Sequence, residues 1–178
     1  MKPTCSLLPV RRGDLPFVSE LGNGDEVDNP FMWFGWYDPE RFHRRWEESG
    51  LLGEDLGMLL IHAEKDRVGF VSWVRQVTTR VPLSFCYDLG IAVAPAFRSQ
   101  GYGTQAHQLL ARYLFEHTTC NRVQARTETT NLAEQRTLEK AGFLREGTIR
   151  GLTWRAGQWR DHVIYSILRT DLITPPKP

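Results

Sequence analysis

Arg98-Ser99-Gln100-Gly101-Tyr102-Gly103 joins an alternating apolar run ending at Val93-Ala94-Pro95 to a stretch with helical periodicity. A basic residue and two closely spaced glycines between a strand and a helix let backbone N–H groups approach a phosphate at the positive end of the helix dipole. Gly101 and Gly103 carry no Cβ, so the turn can curl tightly while a ligand lies against the main chain. Glycine turns of this kind also occur for architectural reasons alone, so the flanking elements decide the reading.

Before the turn, Leu83 to Val93 alternates sharply. Phe85, Tyr87, Leu89, Ile91 and Val93 point one way, Cys86, Asp88, Gly90 and Ala92 the other. The small face leaves room beside the strand and carries the lone acid Asp88. After the turn, Ala106, Leu109, Leu110, Tyr113, Leu114 and His117 recur as the stripe of a helix that packs on a sheet. Val123, Ala125 and Thr127 make a short strand. Asn131 opens another helix that ends at Gly142, with Glu134 in the capping-box position. Phe143 to Trp154 and Trp159 to Leu168 read as long strands joined by Arg155-Ala156-Gly157-Gln158.

Toward the N-terminus, Ser6 to Val10 is a strand, and Asp14 is placed to cap a short helix through Leu21. A polar loop, Gly22 to Asp28, precedes the aromatic residues Phe31, Trp33, Phe34, Trp36 and Tyr37. Asp38-Pro39 then starts a helix running to about Ser49. Met58 to Ala63 and Arg67 to Val74 form a hairpin around Glu64 to Asp66. The expected architecture is a single α/β domain over residues 1–172, with a mixed, mostly antiparallel sheet flanked by helices. Pro175-Pro176-Lys177-Pro178 closes a loose tail over 173–178.

The 178 residues suit one domain. A formal charge of +1 from 22 basic and 21 acidic residues lacks the electrostatic footprint of a dedicated nucleic-acid binder. Runs such as Arg41 to Arg45 read as solvated faces. Cys5, Cys86 and Cys120 are odd in number and widely separated, which argues against a disulfide framework and a zinc site. The five histidines show no metal-ligand spacing, so no metal is expected. No apolar signal core precedes the first strand, and no window approaches the roughly 20 apolar residues of a membrane span. A reducing, cytoplasmic setting without a membrane partner fits.

The central stretch Asp88-Leu89-Gly90-Ile91-Ala92-Val93-Ala94-Pro95-Ala96-Phe97-Arg98-Ser99-Gln100-Gly101-Tyr102-Gly103-Thr104 resembles the hallmark of the GNAT superfamily of N-acyltransferases. That hallmark is a strand followed by Arg/Gln-x-x-Gly-x-Gly/Ala opening a helix. Asn131, Glu139-Lys140-Ala141-Gly142-Phe143, Glu146-Gly147, Arg150 and Asp161-His162-Val163-Ile164-Tyr165-Ser166 extend the likeness to its RimJ/RimL-like type, which acetylates ribosomal-protein N-termini. The match runs over roughly residues 4 to 172 and is loosest in the N-terminal third.

The resemblance implies a GNAT fold and acetyl-CoA as co-substrate. In it, Arg98, Ser99, Gln100, Gly101, Tyr102, Gly103 and Thr104 take the pyrophosphate. The backbone of Ile91, Ala92 and Val93 holds the pantetheine arm like an added strand, and Asn131 hydrogen-bonds that arm. The acceptor is a primary amine, of a small molecule or a protein N-terminus. It must shed a proton from a group of pKa about 8 to 10.4, while the thioester oxygen is stabilised as it gains charge.

Asp88 occupies the strand position where several GNAT members carry an acidic base and is the first candidate to accept the amine proton; pairing with an arginine, or orienting the ammonium, is the alternative. Glu134 falls where RimJ/RimL-like members have serine, and Leu138 where many others have tyrosine. Thr153 stands where one such relative places an acid. Glu134 is therefore either a catalytic candidate or the partner in a capping box, and the general acid is unassigned. A thiol of pKa about 8.5 leaves as thiolate without much help. Trp33, Phe34, Trp36 and Tyr37 fall where GNAT proteins build the acceptor pocket, and Trp154 with Trp159 flanks the final turn. Stacking on a flat or cationic acceptor is one use of these rings. A lid or core segment, a homodimer contact, or cross-strand pairing is the other. A carrier-protein or aminoacyl-tRNA donor, or an acyl-CoA-binding module without turnover, are the alternatives to acetyl transfer from CoA.

Overall fold

The computed structural model describes residues 4–24, 27 and 29–172. The expected tail, 173–178, and part of the expected loop at 22–28 lie outside the described residues. Strand β1 (Ser6–Pro9) is followed by a 3-10 turn and the helices α1 (Leu15–Asn23) and α2 (Arg41–Ser49). Then come β2 (Leu56–Ala63), β3 (Asp66–Val77) and β4 (Phe85–Val93), and after them α3 (Tyr102–His117), β5 (Arg122–Glu128) and α4 (Leu132–Ala141). The hairpin β6 (Leu144–Arg155) and β7 (Gln158–Leu168) comes next, and a 3-10 turn over Arg169–Leu172 ends the described residues. The strands form one seven-stranded sheet in the order β1-β2-β3-β4-β5-β7-β6. Only β4 and β5 run parallel, as the α3 crossover between them requires.

Both faces of the sheet carry a core. On one, Tyr87 and Leu89 of β4 pack with Leu110, Leu114 and Phe115 of α3 and with Leu138 of α4. On the other, Ala92 of β4 joins Leu15 and Val18 of α1, Phe42 of α2, Leu60 and Phe70. On the small face of β4, the Ala92 side chain is therefore covered by α1 and α2.

The buried stripe of α3 is Ala106, His107, Leu110, Ala111, Leu114 and Phe115, rotated from the expected one. Tyr113 is 38% exposed and leans on His117 instead. The displacement has a physical cause: His107 counts as polar in a periodicity, yet its ring is buried because α4 supplies it with a hydrogen-bond partner.

Helix starts also shift. Asp14 stands at the N-cap position of α1, but its carboxylate makes no capping bond there; it turns back to accept the Arg11 N–H at 2.9 Å. Asp38 accepts the Glu40 N–H at 2.9 Å and closes a turn ahead of α2, which begins at Arg41 rather than Pro39. The β6–β7 connection does follow its sequence signal. Ala156 (φ 49°) and Gly157 (φ 72°) both take the left-handed conformation that a two-residue hairpin turn of right-handed twist needs.

Near the far edge of the sheet, Arg122 of β5 donates to both carboxylate oxygens of Glu146 (2.6 and 2.5 Å), and the Ser166 hydroxyl donates to one of them at 2.6 Å. These bonds pull the Glu146 pKa from its ordinary 4.5 down to about 2. A carboxylate whose folded pKa is depressed stabilises the fold above its unfolded pKa and loses that contribution as pH falls through the folded value. Its side chain is 41% exposed, so solvent screening keeps the effect modest. Glu146→Gln is expected to flatten the decline of melting temperature between about pH 4.5 and pH 2; parallel declines in variant and wild type would contradict this.

Candidate active site

The pairing of β4 with β5 is short: only Tyr87 to Leu89 face Val123 to Ala125. Beyond that point β4 stays with β3 as far as Val93, and β5 stays with β7 as far as Glu128. Each strand follows its own antiparallel neighbour as the sheet twists, so the two part company. The split opens toward the strands' carboxyl ends, where ligands of α/β sheets commonly bind. It forms a cleft of about 730 Å³, with Gly90 to Val93 on one wall and Arg126 to Glu128 on the other.

The glycine turn lies at the mouth of this cleft. Arg98 is extended and donates from Nε to the Val93 carbonyl at 3.1 Å, which ties the turn to the end of β4. Ser99 (φ 60°) and Gly101 (φ 91°) are left-handed, and Gly101 is the N-cap of α3. No side chain caps that end, and the first helical bond is Gln105 N–H to the Gly101 carbonyl at 3.2 Å. The amides of Tyr102, Gly103 and Thr104 thus precede the helical ladder at the positive end of a 16-residue helix. A Cβ on Gly103 would sit 3.1 Å from the Thr137 methyl, so glycine lets α3 and α4 approach closely here.

Ile91, Ala92 and Val93, together with Arg98, Ser99, Gly101, Tyr102, Gly103, Thr104 and Asn131, all line the one cleft. Gln100 does not; its amide folds back to donate to the Ala96 carbonyl at 2.9 Å. Asn131 caps α4 by accepting the Glu134 N–H at 3.3 Å and donates to the Thr127 hydroxyl at 3.0 Å. The reciprocal half of the expected capping box is not formed. Asn131 N–H is already bonded to the Glu128 carbonyl at 2.9 Å, which leaves the Glu134 carboxylate to bond His107 at 2.7 Å.

Asp88 lies just below the split, in an ion pair with Arg126 of β5. It does not line the cleft, whereas Arg126 does. Its other oxygen, Oδ1, is buried and has no hydrogen-bond partner among the described residues. Burial raises the Asp88 pKa, and Arg126 offsets only part of that rise.

Farther along β5, the Arg155 guanidinium engages both oxygens of Glu128, the Nη2 bond being 2.7 Å long. Only 5% of the Glu128 side chain and 12% of the Arg155 side chain are exposed. Arg155 holds the Glu128 carboxyl below the usual carboxylate range. The same guanidinium donates to the Pro30 carbonyl at 3.1 Å and lies 5.4 Å from the Phe31 ring, which fastens the 29–34 segment over the cleft. His162 of β7 stands opposite Glu128 and completes this wall.

Of the aromatic candidates, Phe34 lines the cleft, as do Phe31 and Met32. Trp33, Trp36 and Tyr37 do not. Trp36 is 93% exposed with its ring 5.1 Å from Trp33, and Tyr37 lies under Arg41. Trp154 faces Trp159 across the hairpin with ring centroids 5.5 Å apart. Sequence reading gave no site role to Arg126, Glu128, Arg155 or His162. One signal was present: Arg122, Gln124, Arg126 and Glu128 are four polar residues on alternate positions of a strand whose other face is Val123, Ala125 and Thr127, and charges inside a sheet require partners.

A family model for the acetyltransferase (GNAT) domain matches residues 6–144. The chain belongs to the GNAT acetyltransferase family. The Bacillus subtilis protein named "Probable N-acetyltransferase YjcK" is 33% identical over 110 residues, which is 61% of this chain and 59% of that one. A second Bacillus subtilis protein, "Uncharacterized N-acetyltransferase YnaD", is 27% identical over 48% of this chain and 50% of its own length. The alignments thus span about half of these curated relatives. The crystal structure of spermidine N-acetyltransferase from Vibrio cholerae in complex with CoA and spermine shares the fold, with a TM-score of 0.80 at 17% identity over 96% of this chain and 98% of that one. A GNAT-family acetyltransferase from Bacillus anthracis gives a TM-score of 0.73 at 20% identity over 94% of this chain and 96% of its own. The mixed seven-stranded sheet with flanking helices is therefore a GNAT fold. Among the described residues no group of three or more His, Cys, Asp or Glu side chains is placed to hold a metal ion. No helix among them is long and apolar enough to cross a membrane.

Proposed function

We propose that this protein transfers an acetyl group from acetyl-CoA to a primary amine. The observation that carries the reading is the uncapped, glycine-opened end of α3 at the mouth of the β4–β5 split, continuous with a cleft of about 730 Å³. The donor supplies an activated acyl carbonyl and a thiolate leaving group. The chain's own residues do the rest. Amides of Tyr102, Gly103 and Thr104 would hold the diphosphate, with Arg98, Arg136 and Lys140 adding positive charge to the same cleft. The unpaired edge of β4 from Gly90 to Val93 offers main-chain groups to the amide-bearing arm, as a sheet edge does to an added strand. Asn131 spends its side chain on α4 and Thr127, so it fixes that wall. Phe31, Met32 and Phe34 would pack on the acceptor, and the segment held by Arg155 sheds water from the reacting groups.

The test is acetyl-CoA offered with polyamines, small amines and peptides bearing free N-termini, read by mass spectrometry. Peptide N-termini are the acceptors of the RimJ/RimL-like type and belong in that panel. Acetylated amine with release of CoA is the expected result. Affinity for acetyl-CoA without turnover would make the protein a binding module, and no affinity would point to a carrier-bound donor.

A further inference from the structure

Transfer to an amine needs a group that takes the proton, and among the described residues the two carboxylates that line the cleft are already committed. Glu128 is clamped by Arg155, and Glu134 is bonded to His107. Asp88, below the split, is paired with Arg126. His162 differs from all three. It lines the cleft from β7, and both of its ring nitrogens are buried without a hydrogen-bond partner among the described residues. A buried imidazole without a partner costs stability, so its place beside a ligand cleft points to use.

We infer that His162 accepts the proton of the acceptor amine, directly or across one water. This rests on the acetyltransferase reading above. An ammonium acceptor gives one proton to the imidazole. Its nitrogen lone pair then forms a bond to the acyl carbon while the carbon–sulfur bond breaks, and sulfur keeps that electron pair. The second nitrogen proton goes to the thiolate, and the imidazolium returns the first to solvent. Products are the N-acetyl amine, the free thiol and one proton.

The surroundings suit the role. From β5, Glu128 favours the charged ring and Arg126 opposes it; Arg155 of β6 opposes it, and Asp161 beside it on β7 favours it. Asp88 of β4 also feels the ring's charge. Burial outweighs the acids and pushes the imidazole below its ordinary 6.5, so the ring is neutral and able to accept at pH 7. Glu128 then has a second effect: it stabilises the imidazolium that forms.

His162→Gln and His162→Asn test this. Each is expected to lower kcat about 100-fold or more, with acetyl-CoA affinity by calorimetry within about threefold of wild type. The wild-type kcat/KM profile should fall on the acid side with a midpoint below 6.5, and that limb should vanish in both variants. It should persist in Asp88→Asn. A direct readout without donor or acceptor is the carbon-13 signal of the His162 imidazole in the wild-type chain, expected to titrate below 6.5. Wild-type-like turnover in the variants, a retained acid limb, loss of that limb in Asp88→Asn instead, or an imidazole signal that titrates at 6.5 or above would each overturn the assignment. A wild-type chain that binds acetyl-CoA but acetylates nothing would end the acetyltransferase reading itself, which is a separate outcome.

Discussion

Acetyl-CoA titrated calorimetrically into a Gly101→Glu variant is expected to bind at least about 100-fold more weakly than to the wild-type chain, a loss of about 2.7 kcal/mol. Two effects act together. Gly101 sits at φ 91°, where any side chain strains the backbone and pulls the first α3 amides out of line. The new carboxylate also sits at the uncapped end of α3, where it competes for the amides that would hold a diphosphate and repels it. A control separates strain from ligand chemistry. Gly157 is also left-handed (φ 72°), with open space around it in the hairpin turn. Gly157→Ala should therefore cost stability of the order of 1 kcal/mol and leave acetyl-CoA affinity unchanged. Equal affinity in Gly101→Glu and wild type would remove the α3 terminus from the donor site.

Arg155→Met is the second large effect, and it reaches both stability and the cleft. The substitution leaves the Glu128 carboxylate, 5% exposed, without its counter-ion. Removing one member of a buried pair costs about 3 kcal/mol, or roughly 10 °C in melting temperature for a chain of this size. The pH dependence follows from the sign of the shift. In the wild type Arg155 holds the Glu128 pKa below the ordinary 4.5, so the pair stabilises above about pH 4.5 and fades as pH falls through the depressed value. In the variant, burial raises the Glu128 pKa against only the weaker pulls of His162 and Arg160, so the carboxyl neutralises itself more readily on acidification. The difference between the two melting curves should be largest near pH 7 and shrink toward pH 4. The variant also loses the bond to the Pro30 carbonyl and the contact with Phe31, so the 29–34 segment should become more accessible to protease. A gap between the melting curves that is independent of pH would show that Arg155 acts through packing alone.

The strand ending at Val93, the glycine turn and the α3 helix were legible in the sequence because each rests on residues a few positions apart. Alternation marks a strand, missing Cβ atoms permit left-handed turns, and a 3.6-residue recurrence marks a helix. The same locality made Ala156-Gly157 a hairpin and Gly142 a helix stop, both of which the structure shows. Where locality failed, a partner distant in sequence intervened. His107 turned the buried face of α3 because Glu134 waits on α4, and Glu134 was free to reach it because Asn131 N–H bonds the Glu128 carbonyl instead. Asp88 reads as an isolated acid in its strand, yet Arg126 lies 38 positions along the chain and beside it in the sheet.

By itself, then, the chain specified its elements, their order and the glycine turn that opens α3, since those follow from backbone sterics and short-range periodicity. Only the tertiary structure decided which charges meet. Parallel pairing of β4 with β5 stops at Leu89, and β7 joins β5 from the other side, which brings Glu128 and His162 to one wall, where Arg155 of β6 engages Glu128. No spacing rule encodes that meeting, because its geometry is set by where two strands separate under the twist of their own neighbours.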